Sequence, residues 1–291
     1  MSESTFPIGH SAERYSQWLA RQRAHDLLPK EHLIPTLKVE TPRTLPGLMR
    51  SRWDITDEEK AALQAELNRH YIWGYSIQLT DGILTAAADE LEKMVYRAHL
   101  IGGAVKQLAG ENLDQMSVTD LACNHAYFAM HCIYEGAKSA YGCDLREANV
   151  DKSMILLKHF GVDNVTIEQR NAYDVSEPAD VVLNLGLLYH VTDPYKLMKK
   201  TYDLTQNFAV IDTITHLAPV AAFIQRVNKH SNFFPEGEFE VEYHPTYRAL
   251  IDLMHAVGFR NLMELTPVDR PGRARHPLYE RFQRRAIVGF K

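Results

Sequence analysis

The residues able to do chemistry in this 291-residue chain gather between positions 117 and 216. The run Asp120-Leu-Ala122-Cys123-Asn124-His125-Ala126-Tyr127-Phe128 puts small residues at the alternate positions where a nucleotide-binding turn usually carries glycine. Small side chains let the backbone approach a ligand, and the helix start that follows offers free N–H groups. Further on, Gly142-Cys143-Asp144 ends a second apolar run in a carboxylate suited to two ribose hydroxyls, with Leu145 beside it. Asn171-Ala172 then offers an amide and a backbone N–H to an adenine edge. Singly, Asp120, Asp144 and Asn171 read as ordinary caps and turn formers; their order and spacing together mark an adenosine site.

Candidate groups for a reacting partner follow. Tyr189 and His190 come just after a fourth apolar run, and histidine is the usual base near neutral pH. The competing roles for His190 are to cap the helix opened by Pro194 or to pack under the bound cofactor. His216, after the fifth run, is comparably placed, whereas His125 belongs to the turn. Trp73 and Tyr75 stand in the aromatic, alternating segment 73–82 and either roof a pocket or pin N-terminal helices to the core. The stretch Leu217 to His244 reads as an insertion forming an acceptor pocket or lid, with a largely apolar helix at Phe223–His230 that carries Arg226. Arg226 and His244 are its candidate substrate contacts. Fourteen histidines are present, yet none forms an i, i+4 pair beside a carboxylate in the manner of a metalloenzyme, so no catalytic metal is expected.

These groups need a scaffold, and from residue 117 short β-type runs alternate with helical ones, the pattern of a parallel sheet covered on both faces. The expected strands are 117–123, 139–144, 165–169, 180–185, 209–215, 260–265 and 286–290; the expected helices are 127–135, 148–160, 194–204 and 245–256, the last capped by Gly258. The fold class is therefore α/β, a doubly wound, mainly parallel seven-stranded sheet with a helical N-terminal extension. Ligands in such sheets bind beyond the strands' carboxyl ends, where the candidates lie. Residues 1–114 read as an arm and helical cap and 115–291 as the ligand-binding domain, with 217–244 inserted. Within the arm, a helix is expected at Ser11–Leu28. The segment punctuated by Pro29, Pro35, Pro42 and Pro46 should run extended over a surface, where it invites exchange between the protomers of a homodimer. Thr56 and Glu59 form a capping box that opens a helix to about Asn68, and another should cover 89–108.

Composition excludes several classes. With 32 basic and 37 acidic residues the formal charge is −5, and 45% of residues are apolar. No apolar run approaches the roughly 18 residues that cross a bilayer, and no signal core follows the N-terminus. Three unpaired cysteines, 123, 132 and 143, fit a reduced, cytoplasmic protein. Residues 269–285 carry six arginines against two acids, 6 − 2 = +4, which reads as a solvated hairpin or an anion patch.

The runs Asp120–Phe128, Tyr141-Gly-Cys-Asp144, Arg170-Asn-Ala-Tyr-Asp174 and Val182-Leu-Asn-Leu-Gly-Leu-Leu-Tyr-His-Val-Thr-Asp-Pro194 resemble the class I S-adenosylmethionine-dependent methyltransferases over roughly residues 115 to 290. The Leu-Tyr-His-Val-Thr-Asp-Pro run, Gly136-Ala137 and the 73–82 segment look like the branch containing the tRNA wobble-uridine 5-methoxy-forming enzymes and related small-molecule methyltransferases. By that resemblance, Asp120 and the turn Ala122, Cys123, Asn124 to Ala126 flank the methionine part of the cofactor S-adenosyl-L-methionine. Asp144 holds the ribose, Asn171 and Ala172 the adenine, and Asn184 with Leu185 line the cofactor below the methyl.

The expected activity is methyl transfer to oxygen, nitrogen or sulfur of a small metabolite, an anionic one among the candidates. Two rivals are a tRNA wobble-uridine methyltransferase and a protein that binds S-adenosylmethionine without turnover. The acidic total weighs against tRNA, which is bound by neutralising phosphates.

Overall fold

In the computed structural model the described residues are 33–40, 55–70, 73–227, 241–268 and 275–291. The helix expected at 11–28 lies outside them. The first element is strand β1, Thr36–Val39, within the proline-punctuated segment. Helix α1, Asp57–Leu67, starts at the expected capping box: the Glu59 N–H donates to Thr56 Oγ1 at 3.2 Å, and the Thr56 N–H to Glu59 Oε2 at 2.7 Å. A small hairpin of β2 (Gln78–Thr80) and β3 (Ile83–Leu84) turns at Asp81-Gly82, where Gly82 takes φ +75°. Helix α2, Leu91–Ala109, is buried along most of its length, as its nearly all-round apolar sequence requires.

Then come β4 (Ser117–Leu121), α3 (Tyr127–Glu135), β5 (Ser139–Asp144), α4 (Glu147–Phe160), β6 (Val165–Gln169), β7 (Ala179–Leu185), α5 (Pro194–Leu204) and β8 (Thr205–Ile214). The chain ends with β9 (Phe223–Val227), β10 (Val241–Pro245), α6 (Tyr247–Val257), β11 (Arg260–Pro267), the short α7 (Pro277–Glu280) and β12 (Arg284–Phe290). Alternation along the buried strands feeds two cores, because successive side chains point to opposite faces. Val181 and Leu183 join the core under α2, α3 and α4, whereas Val182 joins that under α5 and α6.

The main sheet has the order β1-β11-β12-β8-β7-β4-β5-β6. Strands β4 to β8 run parallel, and β12 is antiparallel to both β8 and β11. The doubly wound fold is as expected, with eight strands in place of seven. The eighth is β1, which lies parallel to β11; its Val39 is fully buried. Backbone that Pro35 and its neighbours bias away from helix is extended, as expected, but it completes a sheet edge instead of lying on a surface.

The chain winds outward from β4 through β5 to β6, then crosses back to β7 on the other side of β4. The carboxyl ends of β4 and β7 thus flank the point where strand order reverses, and there the sheet opens a crevice.

The helix expected at 223–230 is not formed within the described residues. Phe223–Val227 pairs antiparallel with Val241–Pro245, so the insertion is built on a β-hairpin. Phe223, Ile224 and Val227 are aromatic or β-branched residues that favour strand, and pairing decides the ambiguity. Gly258 caps α6 as expected: its φ is +124°, and a Cβ there would come within 2.7 Å of the Tyr202 ring.

Candidate active site

The turn after β4 takes the conformation that glycines would allow, without any. Ala122, Asn124 and Ala126 have φ of +56°, +53° and +54°. These are the three positions at which the sequence departs from glycine. The turn is held from below by Cys123 N–H to Cys143 O at 2.8 Å and closed by Ala126 N–H to Cys123 O at 2.9 Å. Its backbone is tied to the next strand end: the Asn124 N–H donates to Asp144 Oδ2 at 3.0 Å, while Asp144 Oδ1 accepts from the Arg146 N–H at 3.0 Å. Leu145, beside it, is exposed.

Asp120 stands one residue from the end of β4 and is buried. Burial pushes its carboxyl up to about 8, against the pull of Arg97. Its Oδ2 and the Asn124 Oδ1 are buried atoms with no hydrogen-bond partner. An acceptor oxygen left unmatched beside an open turn suits a cationic donor such as an ammonium. Asn171 accepts the Tyr173 N–H at 3.0 Å and caps the short turn containing the buried Ala172. Asn184 donates to Thr201 Oγ1 at 3.0 Å on the α5 side of the sheet, and Leu185 is buried at the end of β7. Asp120, the turn, Asp144 and Asn171-Ala172 are therefore carried by three adjacent strand ends, β4, β5 and β6.

His125 is buried at the centre of the turn, under Trp73 (ring centroids 5.0 Å apart) and Tyr75 (5.5 Å). Burial holds its imidazole well below the usual range, so it is neutral near pH 7. Trp73 also donates to Leu67 O at 3.3 Å, so the same ring ties α1 to the turn.

Beyond β7, Leu188–His190 forms a single tight turn that faces β10. Tyr189 and His190 rings lie 4.1 Å apart, and Tyr189 and His244 rings 5.6 Å apart. Glu242 sits between the histidines: its Oε2 is 2.7 Å from His244 Nε2 and its Oε1 is 3.6 Å from His190 Nδ1. Burial pulls His190 down to about 4, against the opposing pull of Glu242. The hydrogen bond from His244 keeps Glu242 below the usual carboxylate range. Arg226 is exposed and pairs in register with Glu242 across the hairpin. His216 lies at the base of the hairpin, its ring accepting the Ala218 N–H at 3.2 Å and its backbone N–H donating to the carbonyl of Pro245, the neighbour of His244.

Sequence reasoning missed Glu242 and a second buried group. Asp212, near the end of β8, receives Arg97 Nη2 at 3.0 Å and Arg284 Nε at 2.7 Å on Oδ1, and the Tyr279 hydroxyl on Oδ2. Burial raises the Asp212 carboxyl, but the two guanidiniums outweigh it and leave it below its ordinary value. The signals were an acid within the apolar run Val210-Ile-Asp212 and an arginine inside the apolar helix α2. The solvated-hairpin reading of 269–285 is corrected at its end: Arg284 and Arg285 are buried in β12, and Arg285 pairs with Glu264 at 2.6 Å. Arg270 and Arg273 lie outside the described residues.

A parallel sheet with its reversal at β4 and β7 and a left-handed turn at the end of β4 is the architecture of the class I S-adenosylmethionine-dependent methyltransferases. Residues 95–264, more than half of the chain, match the Methyltransf_23 family, a methyltransferase domain, and the chain belongs to that family.

Among solved structures the chain is similar to the N-terminal domain of EvdMO1 in the presence of SAH and D-fucose: TM-score 0.57, 14% identity, covering 81% of this chain and 97% of that one. It is also similar to Burkholderia thailandensis 1,6-didemethyltoxoflavin-N1-methyltransferase: TM-score 0.51, 13% identity, covering 81% and 91%. A curated relative, the tRNA U34 carboxymethyltransferase of Campylobacter curvus, is 27% identical over 92 residues, 31% of this chain. That match spans only 30% of the relative's own length. No helix among the described residues is long and apolar enough to cross a membrane.

Proposed function

We propose that this enzyme methylates an oxygen, nitrogen or sulfur atom of a small metabolite. The observation that carries the reading is the closed wall of Tyr189, His190, Glu242 and His244 beside the cofactor turn. Each of these side chains is largely buried, which suits a compact acceptor that water must not accompany.

In this reading Asp120 receives the ammonium of the methionine moiety, the left-handed turn 122–126 lies against its backbone, and Asp144 takes the ribose hydroxyls. Asn171 and Ala172 border the adenine, and Asn184 and Leu185 form the floor. S-adenosylmethionine held there supplies a methyl group on a sulfonium, open to in-line displacement by an acceptor lone pair. Positioning supplies most of the acceleration. Where the acceptor must lose a proton, His190 takes it: burial keeps the imidazole neutral, and Glu242 stabilises the imidazolium as it forms. Tyr189 orients the acceptor, Trp73 and Tyr75 roof the turn, and Arg226 and His244 set the hairpin side of the pocket. His216, bonded at the hairpin base to Pro245 beside His244, is the second candidate for that proton.

The solved structures similar to this chain include proteins crystallised with D-fucose and with 1,6-didemethyltoxoflavin, and such small ligands support the reading. The similarity to a tRNA carboxymethyltransferase favours tRNA as a second acceptor class. Against it stand the net charge of −5 and the pairing of Arg275, Arg284 and Arg285 with Glu280, Asp212 and Glu264, which engages three of the six arginines of the 269–285 patch with acids of the protein itself. The three cysteines are free and buried, which fits a cytoplasmic location.

The deciding experiment is calorimetric titration with S-adenosylhomocysteine, NAD and ATP, followed by methyl transfer from labelled S-adenosylmethionine to a metabolite extract and to tRNA. Binding of S-adenosylhomocysteine alone and label in the metabolite fraction are expected. Label in tRNA alone, lost steeply with salt, overturns the small-molecule reading, and binding without any label leaves the non-catalytic one.

A further inference from the structure

We propose that Arg97 and Arg284 form a docking site for a carboxylate carried by the methyl acceptor. The proposal rests on the small-molecule methyltransferase reading above and names the chemical class of its substrate.

Two guanidiniums converge on one oxygen of one acid: Arg97 at 3.0 Å and Arg284 at 2.7 Å from Asp212 Oδ1. The other oxygen is taken by the Tyr279 hydroxyl, a neutral group. The cluster therefore carries one positive charge beyond its own neutralisation. Both arginine side chains are 8% exposed and Asp212 is fully buried, so water does little to screen that charge. A buried cation without a counter-ion is costly, and a protein that keeps one has a use for it. Asp120, which also feels Arg97 but makes no hydrogen bond to it, is claimed in the cofactor reading by an ammonium, and Glu242 is engaged by His244 and His190.

A specific donor is also unspent. The Nε of Arg97 is buried and meets no acceptor. Its guanidinium lies over the Phe128 ring at 4.9 Å and near the Tyr75 ring at 5.8 Å, which fixes its plane.

The pair also stands where an acceptor must sit. Asp212 is in register with Leu185, and its carbonyl accepts the Gly186 N–H at 2.7 Å, so the cluster borders the carboxyl end of β7. Gly186 has φ +90°, and a Cβ there would approach Arg284 Nη2 at 3.1 Å and the Tyr189 hydroxyl at 3.7 Å. The missing side chain lets the guanidinium and the Tyr189 hydroxyl close in on the end of β7, which sets the cluster beside the tyrosine wall. A single excess charge lined by Phe128, Tyr75 and Tyr189 matches a singly charged organic acid, whereas a phosphate dianion would leave a charge over.

The test uses the full chain, saturated with S-adenosylhomocysteine and, separately, free of it. Trifluoroacetate is titrated with fluorine NMR detection, and trifluoroacetamide, of nearly the same shape and neutral, is the control. Saturable broadening of the anion is expected, with the amide weaker by about tenfold or more. Arg97→Met and Arg284→Met should each remove the preference while S-adenosylhomocysteine binds as before. Equal binding of the amide, no saturable binding of the anion, or a preference surviving in both variants overturns the proposal. Should a variant fail to fold, the anion–amide comparison on the unaltered protein still decides. Failure to bind S-adenosylhomocysteine strikes the methyltransferase reading instead, and the titration without it reads the anion site on its own.

Discussion

The Asn124 amide donates to Asp144 Oδ2 at 3.0 Å, joining the turn after β4 to the end of β5. One carboxylate thus shapes the turn and, in the proposed function, takes the ribose hydroxyls as well. Replacing Asp144 by alanine should weaken S-adenosylhomocysteine binding by about 1.5–3 kcal/mol, the range for hydrogen bonds to a charged group. Calorimetry measures it; an unchanged affinity would remove Asp144 from the site.

Ala122 sits at φ +56°, where an L-residue with a Cβ is strained by roughly 1–2 kcal/mol. It is only half-buried, so little packing is lost on removing its methyl. Ala122→Gly should raise stability by about 0.5–1 kcal/mol after the added entropy of the unfolded chain, a few degrees in midpoint at most. Thermal melts read the change, and a lower midpoint would mean that the turn is not strained.

Asp212 holds two buried guanidiniums, so Asp212→Ala should cost about 3–5 kcal/mol, as for other broken buried pairs. Adding Arg284→Met should recover part of the loss, since one orphaned cation is removed with it. Urea unfolding of the single and double variants gives the coupling; strict additivity would contradict a shared charge cluster.

His190→Ala should lower the rate constant for methyl transfer by about 100-fold or more while S-adenosylhomocysteine affinity holds. Glu242→Gln, which keeps shape but not charge, should give a smaller loss and shift the pH–rate profile. Single-turnover rates with the acceptor found in the labelled extract decide the matter, and an unaltered rate for His190→Ala ends the case for that base.

Acid should destabilise the fold before the carboxylates titrate. Burial first of all holds His99, His131, His190 and His276 near 4, against 6.5 in the unfolded chain. The unfolded state therefore binds more protons between pH 6.5 and 4, and stability falls as pH drops through that window. Asp120, raised to about 8 by burial, acts the other way but is one group against four. Melting midpoints between pH 7 and 4.5 should fall steadily; a flat profile would show that these imidazoles are solvated.

The sequence by itself determined the α/β class, six of the strand positions to within about three residues at either end, the capping box at Thr56 and the order of Asp120, Asp144 and Asn171. Each follows from local rules: period-two alternation, a cap three residues from its partner, and a turn or carboxylate at a strand end. The turn at 122–126 was also legible, because small residues stood at the alternate positions usually held by glycine; its positive φ angles came with the structure.

Tertiary structure alone decided the rest. Thr36–Val39 is too short to declare itself a strand until β11 supplies its hydrogen-bond partners. Phe223–Val227 became a strand because Val241–Pro245 pairs with it, and only that register sets Glu242 between His190 and His244. Arg97, Asp212 and Arg284 are separated by 115 and 72 residues along the chain, yet meet at one oxygen atom. Charge clusters of this kind have no sequence spacing, since they depend on which strand lies beside which, and so they appear only when the sheet is assembled.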